Sequence, residues 1–408
     1  MINFKLNGSE ISYDGDPKMS LLKYLRAIKG IVSVKDGCSG EAACGACLLE
    51  MNAKPALSCI TPMEKVDGAN IVTIEGFPES LRQTLGQAFV AKGAVQCGFC
   101  TPGFLSRTKI LLEIHPQPSR EEIIQALRLN LCRCTGYVKI IDAIELAAEH
   151  LRNKLEIKLP NAGRVGADQP KYDAYDKAIG TSAFIDDLHI DGMLHGALKF
   201  SDHPRANIRR IDCTAAERIT GVVRVFTAKD IPGQRTIGVI HQDWPVMIAE
   251  GETTRYIGDV LAGVVAETEA IARDAAAAIT VDYEVLEPLT DVHAAETSPI
   301  IVHESGNLLG LSKIQRGENI DAVLKSSAYV VNATYQTQRV EHGFLETEAA
   351  IALPLENKGV ELWVQSQGIY ADQRQIARIL GIPIDRVKVK LVPAGGGFGG
   401  KEDLTVQG

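Results

Sequence analysis

Apolar and polar residues alternate at the start of the chain. In MINFKLNGSEISY, Ile2, Phe4 and Leu6 share one face of a predicted strand, and Ile11 and Tyr13 share a face of a second. Asn7-Gly8 between them suits a two-residue hairpin turn. The spacing then becomes helical: SLLKYLRAIK (20–29) reads as a helix, with Ser20 placed to cap it and Gly30 to stop it. Residues 71–74 predict a closing strand. Helices are predicted over 79–92, 102–114, 119–130 and 138–151, the third with Ser119 as N-cap and Glu121 and Glu122 in its first turn. A Pro/Gly-containing linker, EIKLPNAGRVGADQPKY (156–172), follows. Strands are predicted at 193–200, 222–226 and 260–265, then a helix at 271–278 and a strand in ITVDYEVL. The last segment reads as strand (361–367), helix (371–381) and strand (387–392).

A chain of 408 residues is too long for one ordinary domain. Its 45% hydrophobic and 23% charged content is that of a soluble globular protein. A net charge of −8 argues against a nucleic-acid surface and supplies no basic patch for anionic lipid. The N-terminus lacks the basic and apolar regions of a signal peptide, and no apolar run reaches the roughly 18 residues of a membrane span. The expected location is therefore cytoplasmic and reducing.

That expectation changes how the nine cysteines read, because clustered thiols in a reducing compartment point to metal or redox chemistry before disulfides. Cys213 stands apart and reads as a packing residue. The other eight precede residue 135 and divide into two fours. Cys38, Cys44, Cys47 and Cys59 are spaced C-x5-C-x2-C-x11-C, and Cys97, Cys100, Cys132 and Cys134 are spaced C-x2-C-x31-C-x-C. Four thiolates hold a 2Fe-2S cluster, and the plant-type spacing is C-x4-C-x2-C with a distant fourth. The first set fits with one extra residue in the first gap. Small neighbours (Gly37, Gly40, Ala42, Ala43, Gly45, Ala46) let backbone N–H groups approach the sulfurs. Two four-cysteine zinc sites are the alternative, less suited to the C-x-C pair and to a glycine-rich loop.

QCGFC (96–100) and LCRCTGY (131–137), in this order after the first cysteine set, identify a resemblance to the molybdenum hydroxylases, the xanthine dehydrogenase and aldehyde oxidoreductase family. The resemblance extends over the whole chain. It implies an α+β multidomain fold: a β-grasp 2Fe-2S ferredoxin domain (1–76), a four-helix 2Fe-2S domain (77–155), the linker 156–172, an α/β hammerhead domain (173–292) and the start of a molybdopterin-binding α+β domain (293–408). The x5 gap is similar to the branch of selenium-dependent xanthine dehydrogenases. No FAD domain stands between 155 and 173, so FAD is expected only on a partner, a flavoprotein subunit, or else a ferredoxin-like carrier takes the electrons. The implied cofactors are two 2Fe-2S clusters and a molybdenum–molybdopterin, its cytosine dinucleotide form being one alternative. An oligomer is expected, with no nucleic acid and no membrane as partner.

The resemblance also assigns residues. Gln96 and Cys134 match positions that hydrogen-bond the pterin. PAGGGFGGKED (393–403) is near a phosphate-binding P-loop, but Glu402 stands where Ser or Thr would ligate magnesium. In the family this loop lies against pterin and metal, with Gly397, Phe398 and Gly399 at contact positions. Gln367 matches the glutamine near the metal's oxo ligand. Glu402 matches the glutamate by which xanthine-oxidising members bind purine. Glu341, His342 and Glu346 read mainly as architecture. The family's general-base glutamate is expected beyond residue 408. The implied activity is oxidation of a purine such as xanthine, or a related N-heterocycle, with oxygen from water. Aldehyde oxidation, and an iron–sulfur electron-transfer module of a split or truncated enzyme, are the alternatives.

Overall fold

The structure, a computed structural model, describes residues 1–159, 163–356 and 358–407. Within the expected linker, 160–162 lie outside the described residues. Two compact units form: one holds 1–191, 237–243 and 342–408, the other 192–236 and 244–341.

The first unit begins with the predicted hairpin, β1 (Ile2–Leu6) and β2 (Ser9–Tyr13). Asn7 (φ 51°) and Gly8 (φ 84°) both take the left-handed conformation that a tight antiparallel turn requires. With β3 (Leu48–Met51), β4 (Lys54–Leu57) and β5 (Asn70–Val72) they form one sheet in the order β2-β1-β5-β3-β4, β1 and β5 running parallel. β5 ends at Val72, earlier than predicted, because Thr73 turns aside to donate its N–H to Asn7 Oδ1 at 2.9 Å. The predicted 20–29 helix forms, but with two periods. α1 (Leu21–Lys23), capped by Ser20 Oγ accepting from Lys23 N at 3.2 Å, widens into a π-helical turn over Tyr24–Ile28. That turn carries Tyr24 into the core, edge-on to Phe4 and Tyr13 at 5.7 and 5.1 Å.

Four helices follow: α2 (Glu79–Ala91), α3 (Thr101–Ile114), α4 (Arg120–Ala126) and α5 (Val138–Asn153). Ser119 and Glu122 close a reciprocal capping box at the start of α4. α4 stops at Ala126 and gives way to a 3-10 turn, Leu127–Leu129, rather than running to 130. The chain must turn there, because Leu131 N–H bonds the Cys44 carbonyl at 2.8 Å and Asn130 Nδ2 the Gly45 carbonyl at 3.2 Å. Buried Lys109 of α3 donates to Glu50 of β3 at 2.5 Å and to Glu113 at 2.7 Å, joining helices to sheet. Residues 342–407 complete this unit with a three-stranded sheet. Its middle strand, Val360–Val364, runs antiparallel to Ala350–Pro354 and parallel to Val387–Leu391, across the helix Ile369–Leu380.

In the second unit, strand Val260–Ala266 lies between His195–Phe200 and Val222–Thr227, antiparallel to both. Helix Glu269–Ala278, capped by Thr268, packs Ala275 and Ala276 against Ala262 and Val264. Small side chains allow this close approach of helix and sheet. Strand Thr280–Val285 pairs with Ala206–Asp212. Cys213 is half-buried against this core, and burial raises its thiol pKa, in keeping with a packing role. No helix among the described residues is long and apolar enough to cross a membrane.

Candidate functional site

The first cysteine loop, 37–47, is built on left-handed backbone: Ser39 (φ 49°), Gly40 (φ 86°), Ala42 (φ 56°) and Gly45 (φ 67°). These turns aim N–H groups inward, as an anion-binding nest does. Ala46 N–H donates to Cys44 Sγ at 3.5 Å. Burial opposes the Cys38 thiolate, but N–H groups of Ala43, Cys44 and Glu41 outweigh it and lower the thiol's pKa. Burial pushes Cys44 up to about 11 and Cys47 up to about 12. The sulfurs draw together as Cys38 with Cys44 and Cys47 with Cys59.

The second set is brought together by helix ends. Cys100 stands at the N-cap position of α3, beside the free N–H groups of the helix's first turn. Cys132 and Cys134 sit in a turn tied by its own side chains. Thr135 Oγ1 meets Cys132 Sγ at 3.1 Å, and Tyr137 (φ 70°) sends its hydroxyl back to accept from Cys132 N–H at 3.0 Å. Cys97 and Cys134 sulfurs stand 3.5 Å apart. Shared hydrogen bonds among these thiols lower Cys97 and Cys132 and raise Cys100 and Cys134. All eight cysteines are free thiols. Among the described residues no three His, Cys, Asp or Glu side chains surround a single-ion position. Thiols meeting in pairs, with N–H groups directed at sulfur, fit a two-iron cluster, where each iron takes two thiolates.

The glycine loop forms the third part. Gln367 is exposed, and its Oε1 accepts from Gly399 N–H at 2.9 Å and Lys401 N–H at 3.2 Å. A Cβ on Gly397 would stand 2.5 Å from that oxygen, so side chain and loop leave no room for anything larger. Gly396 (φ 99°), Phe398 (φ 56°) and Gly399 (φ 92°) keep the loop in left-handed turns. A P-loop does not form. Lys401 stands in a turn, and its ammonium is buried under the loop rather than open to a phosphate. There it donates to the Glu346 carbonyl at 2.8 Å and to Gln365 Oε1.

Phe99, within QCGFC, connects the parts. A Cβ on Gly37 would meet its ring and Cys44 Sγ, each at 3.3 Å, and a Cβ on Gly395 would meet the ring at 2.9 Å. The second cysteine motif thus packs on one side against the first cysteine loop and on the other against the glycine loop. Edge-on contact at 5.2 Å joins Phe99 to Phe184, above which Lys35 Nζ lies at 4.9 Å. Lys35 is fully buried and paired with Asp187, which Arg26 also meets at 3.0 Å. Burial lowers the Lys35 pKa against the pull of Asp187.

Of the other sequence-derived residues, Gln96 is exposed next to Cys97, with Lys171 Nζ on its backbone carbonyl at 3.1 Å. Glu402 is exposed beside Gly368, to which a Cβ would bring the Glu402 carbonyl within 3.4 Å. Glu346 and Lys401 do not stand out by spacing, yet both are buried charges at the loop. Burial raises the Glu346 carboxyl to about 7, against N–H bonds from Gly395 and Ile185 and the charge of Lys401. In the sequence Glu346 reads as architecture, and Lys401 as a charge inside a glycine run.

Comparisons with known proteins agree with this arrangement. Four family descriptions match in order: "2Fe-2S iron-sulfur cluster binding domain" over 4–69, "[2Fe-2S] binding domain" over 73–145, "Aldehyde oxidase and xanthine dehydrogenase, a/b hammerhead domain" over 179–287 and "Molybdopterin cofactor-binding domain" over 302–407. Aldehyde oxidoreductase of Megalodesulfovibrio gigas is 34% identical across 98% of this chain and 46% of its own length. The nicotinate dehydrogenase small FeS subunit of Eubacterium barkeri is 44% identical over 37% of this chain and 97% of its own. The large molybdopterin subunit of the same enzyme is 34% identical over 60% of this chain and 57% of its own. The solved aldehyde oxidoreductase from Desulfovibrio gigas superposes with a TM-score of 0.90 at 32% identity, over 98% of this chain and 47% of that one. The chain therefore spans about half the length of these aldehyde oxidoreductases.

Proposed function

Because the chain belongs to the molybdenum hydroxylases, the family of the aldehyde oxidoreductases and xanthine dehydrogenases, we propose that it provides the electron path and part of the cofactor site of an enzyme oxidising a purine such as xanthine, or a related N-heterocycle. The observation that carries the reading is the packing of QCGFC between the first cysteine loop and the Gln367-fastened glycine loop. Electrons would pass from the molybdenum site to the cluster held by Cys97, Cys100, Cys132 and Cys134. From there they would reach the cluster held by Cys38, Cys44, Cys47 and Cys59, and leave to a flavin on a partner subunit or to a small carrier. Bound here, the molybdenum–pterin would supply two-electron oxidation with oxygen from water.

This chain's own residues would bind and orient. Gln96 and Cys134 hold the pterin edge, since an amide both donates and accepts. Gly397 and Phe398 offer backbone N–H groups close to the cofactor, and Gly399, its N–H held by Gln367, keeps the loop open to it. The Gln367 carbonyl oxygen is already occupied by two N–H groups, so its Nε2 is the atom left to donate toward the metal's oxygen ligand. Glu402 holds the substrate ring, its carboxyl offsetting charge that builds on a ring nitrogen. Nicotinate, named for two relatives, is itself an N-heterocycle. The aldehyde reading is favoured by the likeness that covers 98% of the chain.

Two experiments test the proposal. Elemental analysis of the anaerobically purified protein, with any partner that accompanies it, is expected to give about four irons per chain, two per cluster, with molybdenum. Zinc in place of iron would sink the reading, and iron without molybdenum would reduce it to an electron-transfer module. In the active enzyme, Glu402→Gln is expected to lower kcat/KM for xanthine roughly 100-fold while leaving aldehyde turnover within a few-fold. Equal losses on both would remove the purine assignment.

A further inference from the structure

Glu346 is a buried carboxyl that the proposed function leaves unused. It is 2% exposed, in the same unit as both cysteine sets and the glycine loop. One oxygen, Oε1, accepts from Ile185 N–H at 3.3 Å. The other, Oε2, accepts from Gly395 N–H and lies 3.7 Å from Lys401 Nζ. Its backbone N–H returns a bond to the Gly395 carbonyl at 3.4 Å, and its backbone carbonyl receives Lys401 Nζ at 2.8 Å. One residue therefore grips the loop at 395 and 401 and the turn at 185.

The third neighbour is Phe99, between ligand positions Cys97 and Cys100. A Cβ on Gly395 would run into the Glu346 stem and stand 2.9 Å from the Phe99 ring. Carboxylate stem, aromatic ring and loop thus meet with no spare volume. The residue type is specified as well. Two N–H donors and an ammonium converge on two oxygens, and only a carboxylate offers two acceptors and no donor. A glutamine would direct its amide N–H₂ at one of the N–H groups, leaving a buried donor unpaired.

We propose that Glu346 is a positioning residue for electron transfer: its carboxylate fixes the glycine loop, and with it the molybdenum cofactor, in register with the turn carrying Cys97 and Cys100. The inference rests on the reading of the chain as a molybdenum hydroxylase. Residues that orient a metal site from behind its contacts affect binding or activity about 10- to 100-fold when changed.

The test is Glu346→Gln, made in the complete enzyme beside wild type. Three quantities are measured: iron per chain, the molybdenum-to-iron ratio, and the EPR splitting between Mo(V) and the reduced second cluster under dithionite. That splitting falls steeply with the distance between the two centres, so it reports position independently of turnover. The expected result is unchanged iron, a molybdenum-to-iron ratio lowered about tenfold, and a smaller splitting in the protein that keeps molybdenum. Wild-type values for ratio and splitting would overturn the inference. So would parallel loss of iron and molybdenum, since that makes Glu346 a general packing group. Absence of molybdenum from wild type itself would instead remove the proposed function, and this inference with it.

Discussion

Cys100→Ala is expected to remove the second cluster, lowering iron from about four to about two per chain and removing that cluster's single electron from those taken up from dithionite. Cys100 is 5% exposed and stands at the N-cap position of α3. Its sulfur shares hydrogen bonding with Cys132, and Cys132 with Cys134, so losing one ligand breaks the set. The first cluster, on a loop with its own N–H donors, should keep its absorption and its one-electron reduction. Retention of about four irons by the variant would show that Cys100 is not a ligand. Loss of all iron would show that the two sites do not assemble independently.

Gly45→Ala is expected to destabilise the joint between sheet and helices by roughly 3 to 5 kcal/mol. Two costs combine. The backbone at 45 has φ 67°, where a Cβ is disfavoured, and that Cβ would overlap the Leu129 carbonyl oxygen. The neighbour is backbone, held by the Leu131 N–H to Cys44 bond and by Asn130 Nδ2 on the Gly45 carbonyl, so it cannot swing away. Helix α3 is close as well, because a Cβ on its Gly103 would stand 2.5 Å from the Gly45 carbonyl. In a chain of several domains a single unfolding free energy is not defined. The measurement is therefore calorimetry together with limited proteolysis between residues 76 and 101. The variant should show an earlier transition and faster cleavage there. An unchanged thermogram would mean that the segment at 129–131 can move aside.

Much of the first third was legible in the sequence because its signals are local. The Asn7-Gly8 hairpin, the Ser20 and Ser119 caps and the α2, α3 and α5 helices follow from residues a few positions apart. The same is true of the cysteine sets, since spacing alone divides eight thiols into two fours. Where sequence and structure part, a distant partner decides. β5 ends early because Thr73 bonds Asn7, and α4 ends early because 130 and 131 bond the loop at 44 and 45. The π-helical turn at 24–28 has no period of its own in the sequence.

The sequence by itself determined the chemistry available: eight thiols in two sets of four, a glycine run able to approach a cofactor, and Gln96, Gln367 and Glu402 as the polar groups expected near it. Only the tertiary structure decided how these parts meet. It set Phe99 between two loops, buried Lys401 beneath the glycine run and placed Glu346 against Ile185, 161 residues away in the chain. Buried polar and charged groups must find partners wherever the fold brings them, and such pairing leaves no periodic trace along the chain.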